Sequence, residues 1–226
     1  MQSVKITTDL SIFIQIITGI ASFQGIFITL PEKHKILNEV LALESFVQVV
    51  ELFFYAFFLK SVALKDLPQM AGIRYFDWVI TTPTMLLTTI AYFKYEEHLE
   101  KGSGKILHFG SFLEENKENV IHIVLANFLM LLFGYLGEIG VIDSTISIVL
   151  GFLFFAYAFY IIYKEYAVKA KKSLPIFYFI FSIWSLYGIA AIFNPHHKNN
   201  MYNILDIFAK NFFGLYLYYK AYSVNK

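Results

Sequence analysis

The chain has 226 residues, of which 58% are hydrophobic and 19% aromatic, with no cysteine and a formal net charge of +1. Such an apolar composition excludes an ordinary soluble domain. The lack of cysteine excludes disulfides and thiolate metal sites, and the near-neutral charge gives no reason to expect nucleic acid as a partner.

Successive apolar runs of about 20 residues, the length that crosses a bilayer, are separated by short polar gaps. They predict an integral, multi-pass, all-α membrane protein with one domain over residues 1–226. The N-terminal stretch lacks a small-residue cleavage site and reads as a retained first span, not a signal peptide.

The first span is expected at about 9–30, closed by Pro31. Within it Ser11, Gln15, Thr18 and Ser22 fall at spacings of four, three and four, which places them on one helical face. Such a stripe either hydrogen-bonds a neighbouring helix or walls a wet path. The second span, about 38–60, repeats the spacing with Glu44, Gln48, Glu51 and Tyr55. Two carboxylates inside one span must face the bundle interior or water. They are either neutral, hydrogen-bonded acids or a hydrated face that attracts cations.

The third span, about 69–93, carries the run Arg74-Tyr75-Phe76-Asp77-Trp78-Val79-Ile80-Thr81-Thr82-Pro83. Arg74 and Asp77 are three apart, and Asp77 and Thr81 four, so a cation, an anion and a hydroxyl share a face. Pro83 frees a backbone carbonyl, which is tolerated where neighbours re-satisfy it. The segment 95–119 is polar, with a flexible glycine-containing run at 102–105. Ile106, Phe109, Phe112 and Leu113 then form a short amphipathic pattern, read as a surface-lying helix or a plain loop.

The fourth and fifth spans, about 120–139 and 144–166, are nearly all apolar. Asn127 is the strongly polar interior side chain of the fourth, where Gly134 and Gly137 permit close approach. The sixth, about 174–193, holds Trp184 and Tyr187 three residues apart. The seventh, about 201–222, contains Asn203, Asp206 and Lys210.

A lysine ammonium at mid-span costs about 2.5–3.5 kcal/mol or more. Asp206 lies four residues before Lys210 and shares its face. That leaves two readings: a buried ion pair that fixes helix packing, or a desolvated amine that forms a Schiff base with a carbonyl compound.

Twelve lysines fall on the loops after the first, third and fifth spans and on the C-terminus, against Lys5, Lys60, Lys65 and Lys198 on the other side. The positive-inside bias therefore predicts the N-terminus outside and the C-terminus cytoplasmic. His196 and His197 fall on the outer loop between the sixth and seventh spans, where a surface location accounts for them without a metal.

Seven helices, a lysine midway along the seventh and the Arg-Tyr-x-Asp-Trp-x-x-Thr-Thr-Pro run in the third resemble the microbial (type I) rhodopsins. The resemblance implies all-trans retinal bound to Lys210 as a protonated Schiff base. It implies Asp77 and Asp206 as paired counter-ions, Arg74 on their outer side and Thr81 hydrogen-bonded to Asp77. Trp78, Trp184 and Tyr187 would form the aromatic box. Thr82 and Asn127 would join the third and fourth helices, and Met130 and Gly134 would pack near the ring. A photoreceptor or ion transporter is implied, not an enzyme.

Departures from the pump pattern carry further expectations. Proton pumps of this family usually place a carboxylate eleven residues after the third-helix aspartate, where this chain has Thr88. The outer release glutamates are missing from 194–200, and Gly188 and Ala191 stand where pumps usually have proline and tryptophan.

Channelrhodopsins conduct cations along second-helix glutamates, and the stripe Ser11, Gln15, Glu44, Gln48, Glu51 and Asn203 would supply such a path here. Glu44 and Glu51 would form successive constrictions about 10 Å apart, at ~1.5 Å of rise per residue. The chain is most similar to the group-1 rhodopsins of large algae-infecting viruses, described as light-gated cation channels. That likeness implies a host-cell membrane and host retinal. The expected partners are the lipid bilayer, protons and monovalent cations, with calcium held transiently by the carboxylates; an oligomer is compatible with the fold. An outward proton pump and a sensory receptor remain the alternatives.

Overall fold

A computed structural model describes residues 1–225, so Lys226, counted above on the C-terminal side, lies outside the described residues. The helices are α1 (Gln2–Ile26), α2 (Ile36–Ala63), α3 (Leu67–Lys101), α4 (Phe109–Glu115), α5 (Lys117–Glu138), α6 (Ser144–Glu165), α7 (Leu174–Ala190), α8 (Pro195–Asp206) and α9 (Phe212–Asn225). A π-helical turn, Ile207–Asn211, joins α8 to α9, so the two make one interrupted seventh span. Among the described residues there is no strand.

Local chemistry sets the helix ends. Asp66 accepts from the Gln69 N–H at 3.0 Å and Pro68 sits in the first turn, so α3 starts on a side-chain cap. Asp143 caps α6 through the N–H groups of Thr145 (2.8 Å) and Ile146 (3.2 Å). Gly102 ends α3 at φ 61°, a left-handed conformation that favours glycine. Pro83 lies inside α3, which continues through it.

Among the described residues, five helical stretches are long and apolar enough to cross a bilayer. The third span differs because it carries Arg74 and Asp77 and a charged tail, and the seventh because the π turn divides it. Neighbours in sequence pack side by side, and α8 and α9 return to α1, closing a seven-helix bundle. The exposed side chains on its outside are largely apolar, including Phe13, Phe53, Leu153 and Tyr219, as a lipid-facing surface requires. Where α5 meets α6, a Cβ on Gly137 would lie 2.2 Å from the Ser147 Oγ, so only glycine permits this approach.

Two expectations are corrected here. The 194–200 segment is not a loop: Asn194 caps α8 by accepting from the His197 N–H at 3.1 Å, and His196 and His197 occupy its first turn. Pro195 at the first helical position and the Asn194 cap are the sequence signals that favour this start. Within 95–119, α3 continues to Lys101 before the glycine run, and the amphipathic pattern forms the short α4. Glu39 of α2 holds the start of α4, accepting from the Phe109 N–H at 2.5 Å and meeting the His108 Nδ1 at 3.0 Å.

Candidate functional site

The bundle interior is polar along one seam and apolar along another, and Lys210 stands where they meet. Its Nζ donates to Asp77 Oδ2 at 2.6 Å and lies 3.6 Å from Glu51 Oε1. All three side chains are essentially excluded from solvent. Thr81 donates to Asp77 through Oδ1 at 3.3 Å and to its backbone carbonyl at 3.0 Å, which fixes the carboxylate.

Asp206 is not the ion-pair partner that its four-residue spacing suggests. Its Oδ2 receives Arg74 Nη1 at 2.9 Å and the Tyr55 hydroxyl at 2.7 Å, and its Oδ1 receives the Tyr187 hydroxyl at 2.8 Å. The π turn between Asp206 and Lys210 adds backbone within the face and changes the relative direction of the two side chains. Such turns leave little trace in an apolar sequence.

Arg74 is held from four directions. Besides Asp206 it donates through Nη2 to Asn203 and through Nε to Asn199 Oδ1 at 3.3 Å, and its guanidinium lies 4.4 Å from the centroid of the Phe58 ring. Asn199 was not singled out in the sequence because its segment read as a loop. Its amide also donates to the Leu67 carbonyl at 3.0 Å, tying α8 to the start of α3.

The polar seam runs between α1, α2 and the seventh span. Ser11 donates to the Tyr55 hydroxyl at 3.0 Å and to the Asn203 carbonyl at 3.4 Å, and Gln15 donates to Ser11 at 3.1 Å. Thr18 meets Asn211, and also Gln48 at 3.4 Å, while Gln48 donates to the Lys210 carbonyl at 3.4 Å.

Farther toward the C-terminal face, Glu44 Oε1 accepts from Thr88 at 2.5 Å. Beyond it, the Tyr92–Tyr216 hydroxyl pair at 2.6 Å and the Glu96–Lys220 ion pair at 3.0 Å close the seam. The six side chains of the expected ion path therefore all lie buried in one seam, with Glu51 at Lys210 itself. Gln15 Oε1, Ser22 Oγ, Glu44 Oε2 and both Glu51 oxygens have no hydrogen-bond partner in the protein. Buried polar atoms of this kind are suited to water.

On the other side of Lys210 is a cavity lined by Trp78, Thr82, Met130, Gly134, Trp184 and Tyr187, with the lysine in its wall. These are the six side chains expected around a polyene. Asn127 donates to the Thr82 hydroxyl at 2.8 Å, the predicted link from the third to the fourth span, and Thr82 donates to the Trp78 carbonyl at 2.6 Å. Tyr202, absent from the expected set, packs edge-on to Trp78 with centroids 5.0 Å apart and stacks on Tyr187 at 5.7 Å. The room left by Gly188 is taken by Phe152, whose ring would lie 2.4 Å from a Cβ there.

Residues 7–224 match the family described as bacteriorhodopsin-like protein. The chain belongs to that family. Its fold is similar to the crystal structure of viral rhodopsin OLPVRII, with TM-score 0.84, 29% identity and coverage of 98% of each chain. A blue light-absorbing proteorhodopsin from Med12 shares the fold at TM-score 0.72 and 21% identity, over 97% of this chain and 96% of that one. So does the bromide-bound halorhodopsin of Halobacterium salinarum, at TM-score 0.71 and 15% identity, over 98% and 94%. No curated protein matches the chain.

Members of this family normally bind retinal, and the residues present fit it. The Lys210 amine, bonded to Asp77, stands in the wall of a largely aromatic cavity. The Lys210 ammonium meets Asp77 and Glu51 there.

Proposed function

We propose that the protein is a retinal-binding photoreceptor that works as a light-gated cation channel, with its path along α1, α2 and the seventh span. Lys210 carries retinal as a protonated Schiff base, with Asp77 and Asp206 as counter-ions. The protein sits in a membrane with the N-terminus outside and the C-terminus cytoplasmic, a host-cell membrane in keeping with the likeness to viral rhodopsins. The observation that carries the channel reading is the polar seam, in which oxygens of Gln15, Glu44 and Glu51 that accept no hydrogen bond from the protein follow one another between helices. A seam built for packing alone would pair these oxygens; a path for water and cations leaves them to solvent.

Bound retinal would supply light absorption and a change of shape. The rest is the work of this chain's own groups. Asp77, 2.6 Å from Lys210 Nζ, takes the proton from that nitrogen. The charge of the pair is lost, and Glu51 no longer faces a cation at 3.6 Å. Arg74 and Asp206, joined to Asn203 and Tyr55, lie on the N-terminal side of the pair and respond to its field. The Ser11–Tyr55–Asn203 contacts and the Thr18–Gln48–Asn211 contacts are the two closures that must separate for ions to pass. Carboxylates along the opened seam favour cations, protons and monovalent ions among them, and hard oxygen ligands would hold calcium transiently.

Glu51→Gln tests this reading, because it keeps the side chain's size and removes its charge. Visible pigment is expected to remain, since Lys210 and its bond to Asp77 are untouched. Photocurrent in voltage-clamped cells should change in size or ion preference. Currents identical to those of the parent would refute the seam as the ion path.

One observation favours a second reading, an outward proton pump. Thr88 lacks a carboxyl group of its own, but Glu44 brings one to it from α2 at 2.5 Å. A proton source on the C-terminal side of Lys210 is thus present, although it comes from another helix.

A further inference from the structure

The cavity beside Lys210 does not end at the aromatic box. It continues toward the N-terminal face, where its wall is formed by Gly137 of α5, Ser144 and Ser147 of α6, and Ala191 just beyond α7. Ser144 is solvent-exposed and Ala191 partly so, and both line the same cavity as Lys210. Lower down, the α6–α7 seam is filled by the Phe152 ring against Gly188. At the top the α6–α7 seam itself is bordered by the small side chains of Ser144, Ser147 and Ala191.

Across this end lies an ion pair. Lys198 of α8 donates to Glu138 of α5 at 2.8 and 3.1 Å, with side chains only 11% and 10% exposed, and both residues line the cavity. The pair bridges the end of α5 and the start of α8 and plays no part in the cluster around Arg74 and Asp77. A packing role alone would not require both charged groups to border an apolar cavity.

We propose that this end is the entry through which a retinal-class polyene aldehyde reaches Lys210, and that the Glu138–Lys198 pair is the latch across it. The proposal rests on the retinal-binding reading and deepens it. An elongated aldehyde entering here must travel aldehyde first, because the amine lies at the far part of the cavity. The bulkier ring then follows and comes to rest nearer the mouth, beside Met130 and Gly134. Sequence supplied no signal for this, since Glu138 and Lys198 are 60 residues apart and each reads as an ordinary loop-flanking charge.

The test is the rate at which purified apoprotein forms pigment with added all-trans retinal, followed by visible absorbance, with helicity and gel-filtration profile as controls on folding. Glu138→Gln and Lys198→Met should each form pigment about fivefold faster, the factor given by losing a latch worth about 1 kcal/mol. Exchanging the two charges, Glu138→Lys with Lys198→Glu, should bring the rate back toward that of the parent. Ala191→Trp, which fills the mouth, should slow it by tenfold or more. The three charge variants should end close to the parent's absorption maximum, since Glu138 and Lys198 bond each other and neither bonds Lys210, Asp77 or Glu51. Rates within a factor of two of the parent in folded Ala191→Trp and in the latch variants would overturn the entry route. No pigment in the unaltered protein would instead overturn the retinal reading on which the proposal stands.

Discussion

Lys210→Ala is expected to give a folded, colourless protein that yields no light-evoked current at any retinal concentration. The side chain is the sole amine among the residues lining the cavity beyond the Lys198 latch, and it reaches both Asp77 and Glu51. Without it no imine can form, so colour and current should vanish together. Absorbance after retinal addition and whole-cell current on the same preparation check this. A coloured Lys210→Ala protein would mean that the chromophore attaches elsewhere, and the site described here would be wrong.

Arg74→Gln should produce the largest loss of stability of any single substitution in the bundle interior. The guanidinium is fully buried, pairs with Asp206 at 2.9 Å and also donates to Asn203 and Asn199. Removing one partner of such a pair leaves a buried charge uncompensated, at a cost of about 3–5 kcal/mol. Tyr55 and Tyr187 still donate to Asp206, so the value should fall at the lower end of that range. Arg74→Lys should be intermediate, since it keeps the charge but not three directed bonds. Thermal unfolding in one detergent, comparing parent and both variants, measures this. Equal midpoints for Arg74→Gln and the parent would show that Asp206 does not depend on Arg74.

The cavity beside Lys210 was legible through the resemblance to the microbial rhodopsins, whose motif positions can be placed on this sequence. Trp78, Thr82, Met130, Gly134, Trp184, Tyr187 and Lys210 were all expected around one chromophore, and all line one cavity. The Thr81–Asp77 bond joins residues that four-residue spacing brings to one helical face, and the Asn127–Thr82 bond between two helices is the one the resemblance implied.

What escaped the sequence depends on backbone irregularity or on distant pairs. The π turn at Ile207–Asn211 cannot be read from apolar residues, and it is what separates Asp206 from Lys210 and sends each to its own partner. Glu51 was expected as one of two constrictions on the ion path, and helix-face spacing alone could not reveal that it reaches Lys210 itself. Asn199 and Lys198 were missed because a polar run after Asn194 resembles a loop, although the cap and proline that start α8 were present in it. The Glu44–Thr88 bond belongs to the same class: each residue stood out alone, and only packing joins them.

The most direct test of the central claim is the light-evoked current in retinal-supplied, voltage-clamped cells as the holding potential is stepped. A passive path along Ser11, Gln15, Glu44, Gln48, Glu51 and Asn203 predicts a current that reverses sign and whose reversal potential follows the imposed cation gradients. A current that stays outward at every potential would contradict the channel and make Glu44, at the Thr88 hydroxyl, the proton source of a pump.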